Sequence, residues 1–307
     1  MAELEDLKAF DIAGAAVSVW TFKKSTPKGQ PPVFSGRWIA VDDALAGALR
    51  ESLATASDSI AETHPYGLLA QINEGGVLVL GADETHAPAI VAQTADPTPE
   101  RKVRVLKQIN NSAFYVVKFV APGGQTLHAV RRTDDSWRSR KATGTIAAYF
   151  GDDGLTLAPA PRFTLSRYFD FLIHGDAVFV LDKGRFESVL SYKEAQIEDF
   201  TALQAEPTFV GVFVDVAPLV SFVGTNKIHL RRACAIREKG NFSNADYMAR
   251  LRQHAGQMGF GFAFDAQGRI VCTEAACPDI IKALLDHRLD SRLSGNLYDV
   301  ENTEVVG

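Results

Sequence analysis

Apolar and polar positions along the chain alternate in some stretches and recur at helical spacing in others. Residues 9–24, AFDIAGAAVSVWTFKK, alternate loosely around Val17, Val19, Trp20 and Phe22, which predicts a strand. After the turn KKSTPKGQPP comes a short strand, SGRWIAV. Asp42 or Asp43 then caps a helix running through Glu62, with Leu45, Leu49, Leu53 and Ile60 as its apolar stripe. VLVL at 77–80 is a further strand. AFYVVKF and QTLHAVR read as strands joined by the turn APGG, and YFDFLIH with AVFVLD as a tight hairpin around Gly175 and Asp176. KGRFESVLSYKEAQIEDFTALQ reads as one amphipathic helix, with Phe186, Val189, Leu190, Ile197 and Phe200 on one side.

The run FVGVFVDVAPLVSFVG, residues 209–224, is too short for a membrane span and is interrupted by Asp215 and Pro218. It predicts a buried strand followed by a helix start. Helices are expected over Lys227–Arg237, Asn244–Gln257 and PDIIKALLDHRL, with a strand-turn-strand at FGFAFDAQGRIVC and a final strand in GNLYDVENTEVV. The sum is an α+β fold of mixed antiparallel sheets with packed helices. TADPTPERK, with Pro97 and Pro99, is the best linker candidate. It predicts a smaller N-terminal α+β domain over 1–100 and a larger domain over 101–307.

Composition changes this picture little: 46% hydrophobic and 22% charged residues in 307 describe an ordinary globular chain. The first residues lack the basic and apolar blocks of a secretion signal, and three cysteines, Cys234, Cys272 and Cys277, fit no common zinc pattern. Reduced core thiols in a cytoplasmic protein are expected.

Charge changes it more. The formal net charge is -5, yet Pro97–Thr145 holds ten cations against three acids, about +7, leaving -12 for the rest. The densest part is QTLHAVRRTDDSWRSRKAT, with Arg131, Arg132, Arg138, Arg140 and Lys141; Lys102, Arg104 and Lys107 precede it. A hairpin turning at Thr133–Ser136 would set Arg132 opposite Trp137 and Arg131 opposite Arg138. Opposed arginines repel unless a polyanion lies over them. Trp137 is a candidate for base stacking, although a strand tryptophan more often packs in a core. A smaller cluster, KIHLRRACAIREK, carries Arg231 and Arg232 with three more cations and one acid, and His229 could join it in contacting phosphate.

FYVVKF, LHAVRR, YFDFLIHGDAVFVLDKGRFESVLSYKE and IIKALLDHRLDSRLSGNLYDV resemble the bacterial family that includes KwaB of the Kiwa anti-phage system, over about residues 110–300. The resemblance implies DNA binding, homo-oligomers, and action with KwaA, a multi-pass membrane protein that would hold this cytoplasmic chain at the inner membrane. Its site residues do not carry over position by position. The DNA-binding candidates therefore come from charge alone: Lys102, Arg104, Lys107, Arg131, Arg132, Arg138, Arg140, Lys141, Arg231 and Arg232.

Alternatives are a metal-dependent nuclease and a protein-interaction scaffold with a basic docking ribbon. For a nuclease, Asp170, Asp176, Asp182, Glu187 and Lys193 fall in a suitable region, but each carboxylate has an expected structural job. Asp170 alternates with Phe169 and Phe171 and is expected in solvent, Asp176 in a turn and Asp182 as a helix cap. His174 is expected in a turn. No phosphate-cradling glycine loop or nucleophile elbow occurs, so no cofactor and no enzymatic activity are expected.

Overall fold

The computed structural model describes residues 2–27, 30–133, 148–151, 154–157 and 165–300. Its chain divides into two compact units, one of residues 1–66 and 72–191, the other of residues 67–71 and 192–307. Helices and mixed sheets make up both the whole and the α+β class expected from the sequence.

The first unit runs through α1 (Ala2–Ala9), β1 (Ala16–Ser25), β2 (Val33–Ile39), α2 (Asp43–Asp58), β3 (Glu62–Pro65), β4 (Gly76–Gly81) and α3 (Ala87–Gln93). There follow β5 (Phe114–Val120), β6 (Thr126–Arg132), β7 (Ala148–Gly151), β8 (Gly154–Leu157), β9 (Phe171–His174), β10 (Ala177–Val180) and α4 (Lys183–Val189). Eight of these strands form one sheet in the order β2-β1-β5-β6-β9-β10-β4-β3, antiparallel except for the β3–β4 pair, and β7 with β8 makes a separate hairpin.

Both faces of the large sheet are covered. On one, Leu7 of α1, Phe10 just after it, and Leu49 and Leu53 of α2 join Val19, Val117, Ala129, Leu172 and Phe179 in a buried cluster. On the other, Phe186 of α4 meets Phe171 edge-on at 5.1 Å, and Thr94 at the end of α3 bonds His128. Double coverage explains why FYVVKF is apolar almost throughout instead of alternating. Asp42 caps α2 by accepting from the Leu45 N–H at 2.8 Å. The β9–β10 turn takes Gly175 at φ +56, a conformation that glycine adopts without a Cβ penalty.

The expected boundary near residue 100 falls inside this unit. β1 pairs with β5 and β4 with β10, so a cut there would split the sheet along two seams. Strands from before residue 100 flank, on both sides, the four central strands that come after it. α1 was not expected; its apolar content is too low to mark a helix, and only Leu7 is buried.

The second unit contains α5 (Tyr192–Ala205), α6 (Pro207–Val210), α7 (Ala217–Val223), α8 (Lys227–Lys239) and α9 (Ala245–His254). It ends with the hairpin β11 (Ala263–Phe264) and β12 (Ile270–Val271), α10 (Cys277–Leu285), and the hairpin β13 (Arg288–Asp290) and β14 (Leu297–Asp299). The single helix expected over 183–204 is two, because Ser191 adopts φ +63 and turns the chain between α4 and α5. Ile197, placed on the apolar side by spacing, is exposed.

Residues 209–224 follow expectation in part: the helix start is present as α7, but in place of a buried strand the chain leaves α6 at Val210 and turns through 211–216, where Phe213 makes an isolated bridge to Ile270. Phe209 of α6 and Phe213 of the turn are both buried, and Leu219 and Val223 are buried four residues apart on α7, a helical period hidden inside a continuous apolar run. Pro207 and Pro218 each start a helix. Asn226 caps α8 by accepting from the N–H groups of Ile228 and His229. At the C-terminal end Arg288 ties β13 to α10 and β14. It meets Asp279 at 3.2 Å and Asp299 at 2.8 Å, with its guanidinium 4.6 Å from the Phe260 ring centre. Lys282 reaches Asp299 as well, and the two cations, Arg288 first, pull the Asp299 carboxyl down to about 2.

Candidate nucleic-acid interface

Arg131 and Arg132 end β6, and the register fixes their neighbours: Arg131 lies opposite Tyr115 and Arg132 opposite Phe114. On the other edge the chain enters β9 through Asp170. The Asp170 N–H donates to the Val130 carbonyl, and its carboxylate accepts from the Arg132 N–H at 2.6 Å. The Arg131 guanidinium donates to the same carboxylate at 2.6 Å, and Arg185 at the start of α4 stands 3.6 Å away. Asp170 is 0% exposed. Burial pushes its carboxyl above the ordinary range, opposed by the Arg132 N–H and by Arg131 and Arg185.

Two expectations change here. Asp170 is interior, because in a sheet covered on both faces alternation no longer separates inside from outside. Arg131 is a structural cation that answers a buried charge; removing one partner of such a pair leaves the other uncompensated, at a cost of roughly 3–5 kcal/mol. With β5 on one edge and Asp170 on the other, the cross-strand neighbours of Arg131 and Arg132 are not those of the expected ribbon. Trp137, Arg138, Arg140 and Lys141 lie outside the described residues.

Exposed cations remain at this end of the sheet. The Arg132 side chain is exposed, and so is Arg167, three residues before Asp170. Beside Arg167, Tyr168 stands 73% exposed. Asp182 caps α4 through the Arg185 N–H and also pairs with the Arg185 side chain at 3.4 Å, as its expected capping role requires.

Lys102, Arg104 and Lys107 are all exposed. They belong to the segment that travels from the β2 edge to the start of β5. Lys102 bridges to Trp38 and holds its ammonium 5.0 Å from that ring. Arg104 donates to the Pro99 carbonyl at 3.3 Å. The segment closes where the Ala113 N–H meets the Phe22 carbonyl and the Thr133 N–H meets the Ala113 carbonyl, next to Arg132. Gly36, Phe22, Phe114 and Arg132 form one row across four strands. At about 4.8 Å per strand, that row is about 14 Å long. Arg132 thus ends this row, with Arg167 and Arg185 close to Asp170, while Lys102 and Arg104 belong to the segment that runs beside Trp38 at the β2 edge; charge counting missed Arg167 and Arg185 because they fall outside the basic segment.

Other cations of that segment are spent internally. Arg101 donates to the Gly36 carbonyl at 2.9 Å and lies over the Trp20 ring, while Lys118 donates to the Thr94 carbonyl. Arg231 and Arg232 are half-buried on α8 of the second unit. Arg237 of that helix pairs with Glu206 and Asp199, and His229 stacks on Phe222 at 4.3 Å while its Nδ1–H donates to the Phe222 carbonyl. A histidine held on both counts is a helix-packing residue rather than a phosphate contact.

Of the nuclease candidates, Glu187 is buried and accepts from the Tyr66 hydroxyl at 3.2 Å, and Lys193 is exposed on α5. His174, expected in a turn, is instead the last residue of β9, paired with Ala177 and Leu127, and donates to the Thr126 carbonyl. Among the described residues no three His, Cys, Asp or Glu side chains converge as a metal site would need. The cysteines are free and buried, with the Cys272 and Cys277 sulfurs 3.9 Å apart.

Fold and site together define an α+β protein with a doubly covered sheet, exposed Arg132, Arg167 and Tyr168 near Asp170, and exposed Lys102, Arg104 and Lys107 in the segment that runs beside the β2 edge. A model of the Kiwa protein KwaB-like family matches residues 109–294. The chain belongs to that family, and membership implies a role in Kiwa anti-phage defence. The match begins just before β5 and so covers the central strands, while β1 to β4 come from outside it. No curated protein and no solved structure matches the chain.

Proposed function

We propose that this protein acts in anti-phage defence as a non-enzymatic DNA binder, gripping phosphates at the cationic end of its sheet largely without sequence specificity. The observation that carries this reading is the exposure of Lys102, Arg104, Lys107, Arg132 and Arg167, all on the sheet-bearing unit, in a chain of net charge -5. The anionic remainder repels DNA elsewhere and so orients the encounter. A KwaA-like membrane protein is the partner, and homo-oligomers are the working form. The KwaA-like partner is consistent with the Kiwa setting of the family, and the homo-oligomer is part of the same reading. Among the described residues no helix is long and apolar enough to cross a membrane, so a membrane role for this chain runs through that partner.

The test is charge reversal. Arg104→Glu, Lys107→Glu and Arg132→Glu together reverse three phosphate contacts on exposed side chains and leave the Arg131–Asp170 pair intact. Duplex binding measured by fluorescence anisotropy is expected to fall at least tenfold with an unchanged circular dichroism spectrum. Unchanged binding would move the site elsewhere. Running the same samples with magnesium and with EDTA, and inspecting the DNA for cuts, separates a binder from a nuclease.

A further inference from the structure

Tyr168 is a large aromatic side chain that stands 73% exposed between residues whose packing is defined. Its flanks are pinned. The Ser166 N–H donates to the Tyr115 hydroxyl at 2.9 Å, and the Ser166 Oγ accepts from the Tyr168 N–H at 3.0 Å. On the other side Phe169 is buried, and Asp170 is locked to Arg131 and the Arg132 backbone. Backbone held this firmly on both sides aims the intervening ring at solvent as a fixed feature, 73% exposed. Two residues of chain, at most about 7 Å, separate Tyr168 from the carboxylate around which Arg131, Arg132 and Arg185 gather. Arg167 stands next to it, exposed.

An exposed ring on a backbone held at both flanks, beside the exposed Arg167, matches the chemistry of unpaired nucleotides. Cations track the sugar-phosphate backbone, while an aromatic face stacks on bases, which a paired duplex keeps within its own stack. We infer that Tyr168 is a stacking platform and that this end of the sheet takes single-stranded or locally opened DNA in preference to intact duplex. The inference rests on the DNA-binding reading above and adds the strand state of the ligand.

The experiment uses the full-length protein with an oligonucleotide carrying 2-aminopurine, as a single strand and as a duplex, alongside Tyr168→Ala and Tyr168→Phe. The wild type is expected to bind the single strand more tightly and to change the 2-aminopurine emission as the base stacks. Tyr168→Ala should lose about tenfold in single-strand affinity and abolish the emission change, since one base–aromatic stack carries that order of binding energy. Its duplex affinity should stay within about twofold, and Tyr168→Phe should behave as wild type. Equal single-strand binding by wild type and Tyr168→Ala would overturn the inference and leave phosphate binding standing, as would a wild type that prefers duplex. Binding to neither DNA would instead remove the reading on which it rests.

Discussion

His128 shows what a single buried polar side chain costs and contributes. It sits in β6 beneath α3, its Nε2 2.9 Å from the Thr94 hydroxyl, while Lys118 donates to the Thr94 carbonyl. Burial first, then the positive Lys118 and His174, depresses its pKa from 6.5 to about 4. The folded chain therefore refuses a proton that the unfolded chain takes up below pH 6.5. Stability present above that pH is lost as the pH falls toward 4, by about 3 kcal/mol for a shift of this size. Urea unfolding of wild type and His128→Gln at pH 7 and pH 4.5 checks this: the variant is expected to lose less stability on acidification, and parallel losses would refute it. The sequence could not announce such a residue, since a histidine in LHAVRR reads equally as edge or interior. Asp170 was misplaced for the same reason. Its alternation with Phe169 and Phe171 pointed outward, and only a second covering layer made the outward position a buried one. Its partner, Arg131, counted as a free cation in the sequence and is an internal counter-ion in the fold.

Strands and helices were legible where local chemistry and tertiary setting agree. β5, β6, β9, β10, the Asp42 cap of α2 and the Gly175 turn all follow from spacing and turn residues. The run 209–224 was legible only in part: its helix start is α7, opened by Pro218, but continuous apolarity does not tell a buried strand from the turn that 211–216 form. The break at Ser191 rests on one left-handed residue that no periodicity signals. Strand β2 has its own constraint at Gly36, where the Phe22 ring lies across the backbone. A Cβ on that residue would come within 2.8 Å of the ring, and Phe22 is fully buried against Phe114. Gly36→Ala is expected to destabilise the protein by about 1–3 kcal/mol through forced repacking. Thermal unfolding reads this directly, and an unchanged midpoint would mean that β2 shifts freely. Because Arg101 binds the Gly36 carbonyl, the same variant tests whether the β2 edge positions the segment carrying Lys102 and Arg104.

On the scale of the whole molecule, the family and its defence role stand on a match across residues 109–294, and the sheet shows why that stretch cannot be read alone. Its central strands need β1 and β2 on one side and β4 and β3 on the other, so the N-terminal third completes the same layer instead of forming a separate domain. The sequence revealed the local excess of cations but not which of them face solvent, since that depends on where Asp170, Gly36 and Thr94 fall in the fold. Five cations, Lys102, Arg104, Lys107, Arg132 and Arg167, are exposed, and on the proposed reading they are the phosphate contacts. Contacts of this kind release counterions, so affinity must fall as salt rises. The most direct test is a DNA-binding titration of the full-length protein over several salt concentrations. Five contacts predict a log-log slope on the order of -4. A slope near zero would contradict electrostatic capture of DNA by this end of the sheet.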